Sequence, residues 1–311
     1  MTDPTVGAPP TPTAPVAGLA SGGAGSRRAR RAGNYLALIP FHLYIAFFLI
    51  LPTLFITIGA VTTAGGTPTL DNVAKLFTDG TFIDSFVLSI QLSLLTAIAG
   101  AIGGGLLAWA VVRGDPNGLL RTLVIAASGV MAQFGGVMLA FAFLATFSLN
   151  GFLTLFLNNT LGLAVLQNPS WLFNLPGLVV VYSYFQIPLM LIVFLPSLDG
   201  LRQEWYDASS SLGGSAWSFW RHVGGPILAP AFLGALLLLF ANAFSAYATA
   251  AALISQGCSL VTLQIACQMQ SEIVIGRENV GKALALGMVV VISVVMLVYA
   301  LIQRRASRWV R

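Results

Sequence analysis

Few residues in this chain could do chemistry, and their spacing argues against catalysis. Ten Asp and Glu, two His and two Cys are spread over 311 residues. No hydroxyl or thiol stands in a nucleophile–base–acid arrangement. The run Gly276-Arg277-Glu278-Asn279-Val280-Gly281-Lys282 follows most of the phosphate-binding loop pattern. That chemistry needs a strand before the loop and a hydroxyl after the lysine to hold Mg2+. Here no strand pattern precedes it and Ala283 follows, so ATP hydrolysis is not expected of this chain. Cys258 and Cys267 could close a small loop as a disulfide or stand as two free thiols, and both readings stay open. His42 and His222 fall in other segments, and no metal site is expected.

What remains is a set of neutral polar residues inside apolar stretches: Gln133, Tyr182, Tyr184, Gln186, Asn242, Ser245, Tyr247 and Thr249. Hydrocarbon offers such groups no hydrogen-bond partner, so they should face a helix bundle or a wet cavity. Asn242, Ser245 and Thr249 are three and four apart, which puts them on one face of a helix. Gln133, Tyr184, Gln186, Asn242, Ser245 and Thr249 are therefore candidates to line a pathway for a polar solute. Hydrogen bonding between helices would use the same residues. Few carboxylates lie in these stretches, which argues against a proton relay.

The elements that position these residues are membrane spans. The chain is 57% hydrophobic and only 8% charged, with a mean hydropathy of +0.87, whereas a soluble domain carries about a quarter charged residues. Six apolar stretches, Leu36–Gly59, Phe86–Val112, Leu123–Phe147, Leu175–Leu195, Ile227–Ile254 and Ala283–Gln303, can each cross a hydrocarbon core, which needs ~20 helical residues. The fold expected is all-α, a polytopic membrane protein of six transmembrane helices spanning 35–303. Residues 1–34 are rich in Pro, Thr, Ala and Gly and are expected to be a disordered basic tail. The first apolar stretch is too long for a signal h-region of about 7–15 residues, so it reads as a retained span. Pro40 and Pro52 are expected to kink it. The uncharged stretch 148–174 leaves room for a short re-entrant or surface helix. Gly100, Gly103, Gly104 and Gly105 would let helices approach closely, and packing is the role expected of them.

Orientation follows from the basic residues. With the amino end inside, twelve of the fifteen Lys and Arg fall on the inner side, and Lys75, Arg277 and Lys282 fall outside. The net charge of +5 thus marks a membrane orientation, and no nucleic-acid partner is expected. Both termini, including the basic tail 304–311, are expected in the cytoplasm.

The same count places the loop 196–226 inside. It carries Asp199, Arg202, Glu204, Asp207 and Arg221, too many charges for the hydrocarbon. A helix is expected over Gly200–Leu212, capped by Asp199, with Glu204 and Asp207 favouring its early turns. Gly213 and Gly214 can end it in the left-handed conformation, and Pro226 suits the first turn of the next helix. Asp207-Ala208-Ser209, three residues, Gly213, nine residues and Val223-Gly224-Gly225-Pro226 resemble the EAA loop of binding-protein-dependent ABC importer permeases. Asp stands there for Glu, Ser for Ala, Val for Ile and Gly for Leu, while the spacing and the Gly and Pro anchors are kept.

The resemblance implies the type I ABC importer permease fold and an inner-membrane location. It implies that this chain binds no cofactor, ATP being held by a partner subunit. The implied partners are a cytoplasmic ABC ATPase dimer, a second permease subunit that is identical or related, and an extracellular or periplasmic solute-binding protein. The loop would dock on the ATPase through Glu204, Trp205, Asp207, Ala208 and Leu212, with Gly213 as a pivot where a side chain would crowd the turn or the partner, and Pro226 as the closing anchor. The segments Phe240–Thr249 and Leu263–Ile265 look most like permeases of the polyamine and small charged-solute group. Sugar permeases share the fold and loop, and an ATP-independent channel is the alternative from another class.

Overall fold

The computed structural model describes residues 40–63, 65–161, 171–254, 259–270 and 277–306. The basic tail over 1–34, Cys258, Gly276 and the last five residues lie outside the described residues. The described chain is helical and holds six candidate membrane spans, Pro40–Ala60, Gly80–Arg113, Gly136–Thr160, Leu175–Asp199, Ala216–Ser245 and Glu278–Leu301, the third of them shifted from the expected Leu123–Phe147. Two units divide it, the boundary falling between Phe55 and Ile56.

In chain order the helices are α1 Pro40–Ala60, α2 Asp71–Thr78, α3 Gly80–Arg113, α4 Leu119–Gln133, α5 Gly136–Phe147, α6 Phe152–Leu161, α7 Leu175–Asp199 and α8 Gln203–Ser211. Then follow α9 Ala216–Ser245, α10 Ala248–Leu253, α11 Val261–Met269 and α12 Arg277–Ala306. Helix α6 occupies part of the uncharged stretch where a short helix was expected. The near phosphate-binding loop is no loop: residues 277–282 form the first turns of α12, and Lys282 donates to Asn279 Oδ1 at 3.1 Å.

Helices α3 and α7 form the most extensive pair. Between lipid-embedded helices there is no hydrophobic drive, since lipid tails are as apolar as Leu; close backbone packing takes its place. The glycines of α3 supply it. A Cβ on Gly100 would come 2.8 Å from Gln186 Cβ, and one on Gly104 would meet Ile187 O and Met190 Cβ. The glycine stripe therefore packs, as expected, and does so inside one chain, because α7 presents its backbone to it. Ala97, Ala101, Leu191, Leu239 and Phe244 complete this core with α9. Exposed Val290, Val294 and Leu297 on α12 are what a lipid-facing surface requires.

Two prolines are absorbed by the same device. Pro52 and Pro226 have no N–H to give an α-helical bond. Each follows a π-helical turn, Ala46–Ile50 or Trp220–Gly224, in which the preceding residue bonds one position further back: Leu51 to Ala46 O, Gly225 to Trp220 O. Pro226 therefore does not open its helix. That run starts ten residues earlier at Ala216, where the Ser215 hydroxyl accepts from Ser218 N–H at 3.3 Å.

At the other end of the bundle the loop after α1 is pinned by two buried amides. Asn72 of α2 and Asn279 of α12 both donate to Thr62 O, each at 2.9 Å. Ser89 of α3 takes the Val261 N–H at 2.9 Å, one of the orphan donors at the start of α11.

Candidate functional site

The loop between α7 and α9 was expected to carry a helix capped by Asp199. Asp199 is instead the last residue of α7, and its Oδ2 accepts from Arg121 of α4 at 2.6 Å. Drawn into that ion pair, it cannot cap. Helix α8 starts at Gln203 with Arg202 at its cap position and no capping side chain. It is nine residues long, shorter than expected at both ends.

Its carboxyl end is built on glycines. Gly213 has φ +77°, a conformation that other residues visit only at a cost. The Gly213 and Gly214 amides donate to Ser210 O and Ser209 O, both at 2.9 Å, which satisfies carbonyls a helix end leaves orphaned. A Cβ on Gly213 would meet nothing within 4 Å, whereas one on Gly214 would lie 2.8 Å from Ser209 O. Crowding of the turn thus belongs to Gly214; what Gly213 provides to the turn is the positive φ.

Glu204, Asp207 and Ala208 are exposed and Trp205 is half-buried. Leu212 is 90% exposed and Trp217 is 75% exposed. Trp217 was not singled out from sequence, although an aromatic in a charged loop was a readable signal. The loop therefore presents two acidic groups and two large apolar side chains to its surroundings. Charged contacts and apolar anchors of this kind suit a protein–protein interface.

The polar residues within the spans divide into two sets. Two of the expected spans, Leu123–Phe147 and Ile227–Ile254, each contain a break, and the candidate spans of the structure, Gly136–Thr160 and Ala216–Ser245, lie to one side of it. Helix α4 stops at Gln133, Phe134 and Gly135 leave the helix, and Gly136 has φ +70°. Helix α9 stops at Ser245 and Ala246 is extended, φ −73° and ψ 103°. Buried polar side chains mend the two breaks. Thr249 Oγ1 accepts from Gly136 N–H at 2.9 Å, and Tyr182 OH donates to Ala246 O at 3.0 Å. Gln186, fully buried, donates to Leu239 O at 2.8 Å and accepts from Asn242 Nδ2 at 3.4 Å.

Asn242, Ser245 and Thr249 therefore do not share one helix face, because the helix ends between the second and third. Gln133, Asn242 and Ser245 are exposed, while Gln186 and Thr249 are buried. Tyr184 is half-buried, its ring edge-on to Phe134 and Phe143 with centroids 6.3 and 6.1 Å away. In membrane proteins, backbone groups freed where a helix stops are tolerated when they are buried in protein or line a cavity. Of the candidate thiols, Cys267 lies on α11.

No family model matches the chain. In sequence it is 25% identical over 205 residues to the sulfate transport system permease protein CysW of Escherichia coli K12, and the match covers 66% of each chain. It is also 25% identical over 123 residues to the probable starch degradation products transport system permease protein AmyD of Thermoanaerobacterium thermosulfurigenes, covering 39% of this chain and 42% of that one. The curated relatives are thus matched over about two thirds of their length or less. In structure it is similar to a chain of a bacterial ABC transporter involved in import of the acidic polysaccharide alginate, with a TM-score of 0.69 and 18% identity over 90% of this chain and 98% of that one. A chain of the bacterial alginate ABC transporter in complex with its alginate pentasaccharide-bound periplasmic protein also gives a TM-score of 0.69, at 17% identity over 90% of this chain and 96% of that one. With six candidate spans, the chain is a multi-pass membrane protein that has the all-α fold of an ABC importer permease and is similar in sequence to transport permeases, not to enzymes.

Proposed function

We propose that this chain is the permease subunit of an ABC importer. It would form half of a translocation pathway with a second permease, take solute from an external binding protein, and be driven by a separate ATPase dimer. The observation that carries this reading is the α8 loop, a short helix that ends on Gly213 and Gly214 and leaves Glu204, Asp207, Leu212 and Trp217 exposed. The distribution of arginines supports a cytoplasmic position for that loop and for both termini. The relatives' names and the alginate importer's fold support the same assignment.

For the solute, the exposed polar residues of these stretches are neutral: Gln133, Asn242 and Ser245, with half-buried Tyr184 beside the break. Among the described residues the carboxylates of the spanning helices stand near their ends, as Asp84 and Asp199 do. Amides and hydroxyls suit a hydroxyl-rich or oxyanionic solute, and the sugar and sulfate transport relatives favour that class. A polyamine, the solute read first from sequence, would find no counter-charge in those groups and is the second reading.

The experiment is a Leu212→Asp variant. Leu212 is 90% exposed, so the change removes an anchor without disturbing the chain's own packing. Normal membrane insertion with lost co-purification of the ATPase is expected. Transport by purified, reconstituted chain without an ATPase would favour the channel alternative and overturn the proposal.

A further inference from the structure

A cavity of about 270 Å³ lies where α3, α7, α8 and α9 meet, lined by Trp109, Arg113, Arg202, Tyr206 and Trp220 beside apolar Leu198 and Leu201. Its position is that of a membrane interface. The residues lie at the last turns of two spans and the first turns of another, and amphipathic aromatics gather at that level. The lining holds two arginines and no carboxylate. The Arg113 Cζ sits 4.0 Å from the centroid of the Trp109 ring, a stack that leaves the donors on the guanidinium edge free to turn to a ligand. Among the described residues the ion pair is Arg121–Asp199, and neither Arg113 nor Arg202 has a carboxylate partner. The uncapped amino end of α8 adds positive partial charge at the same rim.

We propose that this cavity binds a phosphate ester or phosphate anion, held between the Arg113 and Arg202 guanidinium groups and backed by Trp109 and Trp220. Guanidinium groups take phosphate oxygens in bidentate fashion, and basic pockets between spans hold lipid headgroups. The volume falls just below the ~300 Å³ at which pockets for whole small molecules begin. A headgroup therefore fits, with its glycerol resting on Leu198 and Leu201. The phosphate can come from an anionic lipid or from solution.

The full-length chain, delipidated and placed in nanodiscs, tests this by native mass spectrometry with equal amounts of phosphatidylglycerol and phosphatidylcholine. Wild type is expected to retain phosphatidylglycerol selectively. An R113Q/R202Q pair should bind it roughly thirtyfold more weakly, the usual contribution of one interfacial arginine taken twice. R113K/R202K should recover part of the selectivity. R221Q, which removes an exposed arginine of the same loop outside the cavity, should bind as wild type. Thermal protection by inorganic phosphate in phosphatidylcholine-only discs, lost in R113Q/R202Q and without lipid selectivity, would assign the site to the free anion. Equal phosphatidylglycerol retention by wild type and R113Q/R202Q, or neither selectivity nor phosphate protection, overturns the proposal.

Discussion

Gly213 offers the sharpest test of how the α8 loop is built, because its constraint is purely conformational. A Cβ there would meet nothing within 4 Å, so a substitution causes no clash inside the chain. What it meets is φ +77°. An ordinary L-residue in that conformation costs about 1–2 kcal/mol, and a β-branched one sits at the high end. That energy corresponds to a roughly 5- to 30-fold loss of the loop's native conformer relative to alternatives. The bonds from the Gly213 and Gly214 amides to Ser210 O and Ser209 O would open with it, and α8 would fray from its carboxyl end. Gly213→Val should therefore insert normally but lose most of the binding-protein-stimulated ATPase activity of the assembled, reconstituted complex. Gly213→Ala should fall between. Gly213→Asn, which tolerates the left-handed region, should stay within about threefold of wild type. Wild-type coupling in Gly213→Val would refute the argument. An Asn variant as impaired as Val would show that space for a partner, not φ, is what the glycine provides.

Two further outcomes follow from the spans. Tyr182→Phe leaves the Ala246 carbonyl without its donor, and should lower stability to reversible unfolding in mixed micelles by about 0.6 kcal/mol, and at most about 1.7; an unchanged curve would mean that the break at Ala246 does not depend on this bond. Gly104→Val drives a side chain into Ile187 O and Met190 Cβ and should cost about 1–3 kcal/mol or prevent assembly. Gly105→Val, whose Cβ would stand at an ordinary 3.5 Å from Phe232, should by comparison yield monodisperse protein, and equal yields of the two would refute the packing assignment.

The parts legible in the sequence were those governed by length and composition. Six spans, a charged loop between the fourth and fifth, and a glycine stop for its helix all follow from local rules. The break in the third span was also written there, in the pair Gly135-Gly136, but apolar length hid it. The break in the fifth span was not. Phe244-Ser245-Ala246-Tyr247-Ala248 holds no Gly or Pro, and Ala is the best helix former. Only the tertiary bond of Tyr182, from a segment far away in the chain, reveals that the helix ends there. Asp199 misled for the same reason. A cap residue by position, it is claimed by Arg121 across 78 residues. Pro226 reads as a helix start from local preference, while the π turn before it lets a helix that began earlier run through.

The two breaks also decide what the polar span residues are for. A polar side chain in hydrocarbon needs a partner, and so does a carbonyl or amide freed where a helix stops. Tyr182 and Thr249 meet both needs at once, each spending its hydroxyl on a backbone group of a neighbouring break. Gln186 instead ties α7 to a carbonyl within α9, Leu239 O, and is further engaged by Asn242. These residues hold the bundle in a broken-helix arrangement, and no hydrogen-bonding capacity that would suit a buried solute need be ascribed to them. The exposed polar groups lie at the edges of the same breaks: Gln133 at the end of α4, and Asn242 and Ser245 in the last turn of α9, the Asn242 amide donating to Gln186 and the Ser245 hydroxyl to Ala241 O. A solute path that follows them would run along unwound backbone, where carbonyls and amides as well as side chains can replace water one bond at a time. The specificity of such a path rests on the spacing of hydrogen bonds more than on charge, which is the physical reason to look first among hydroxyl-rich and oxyanionic solutes.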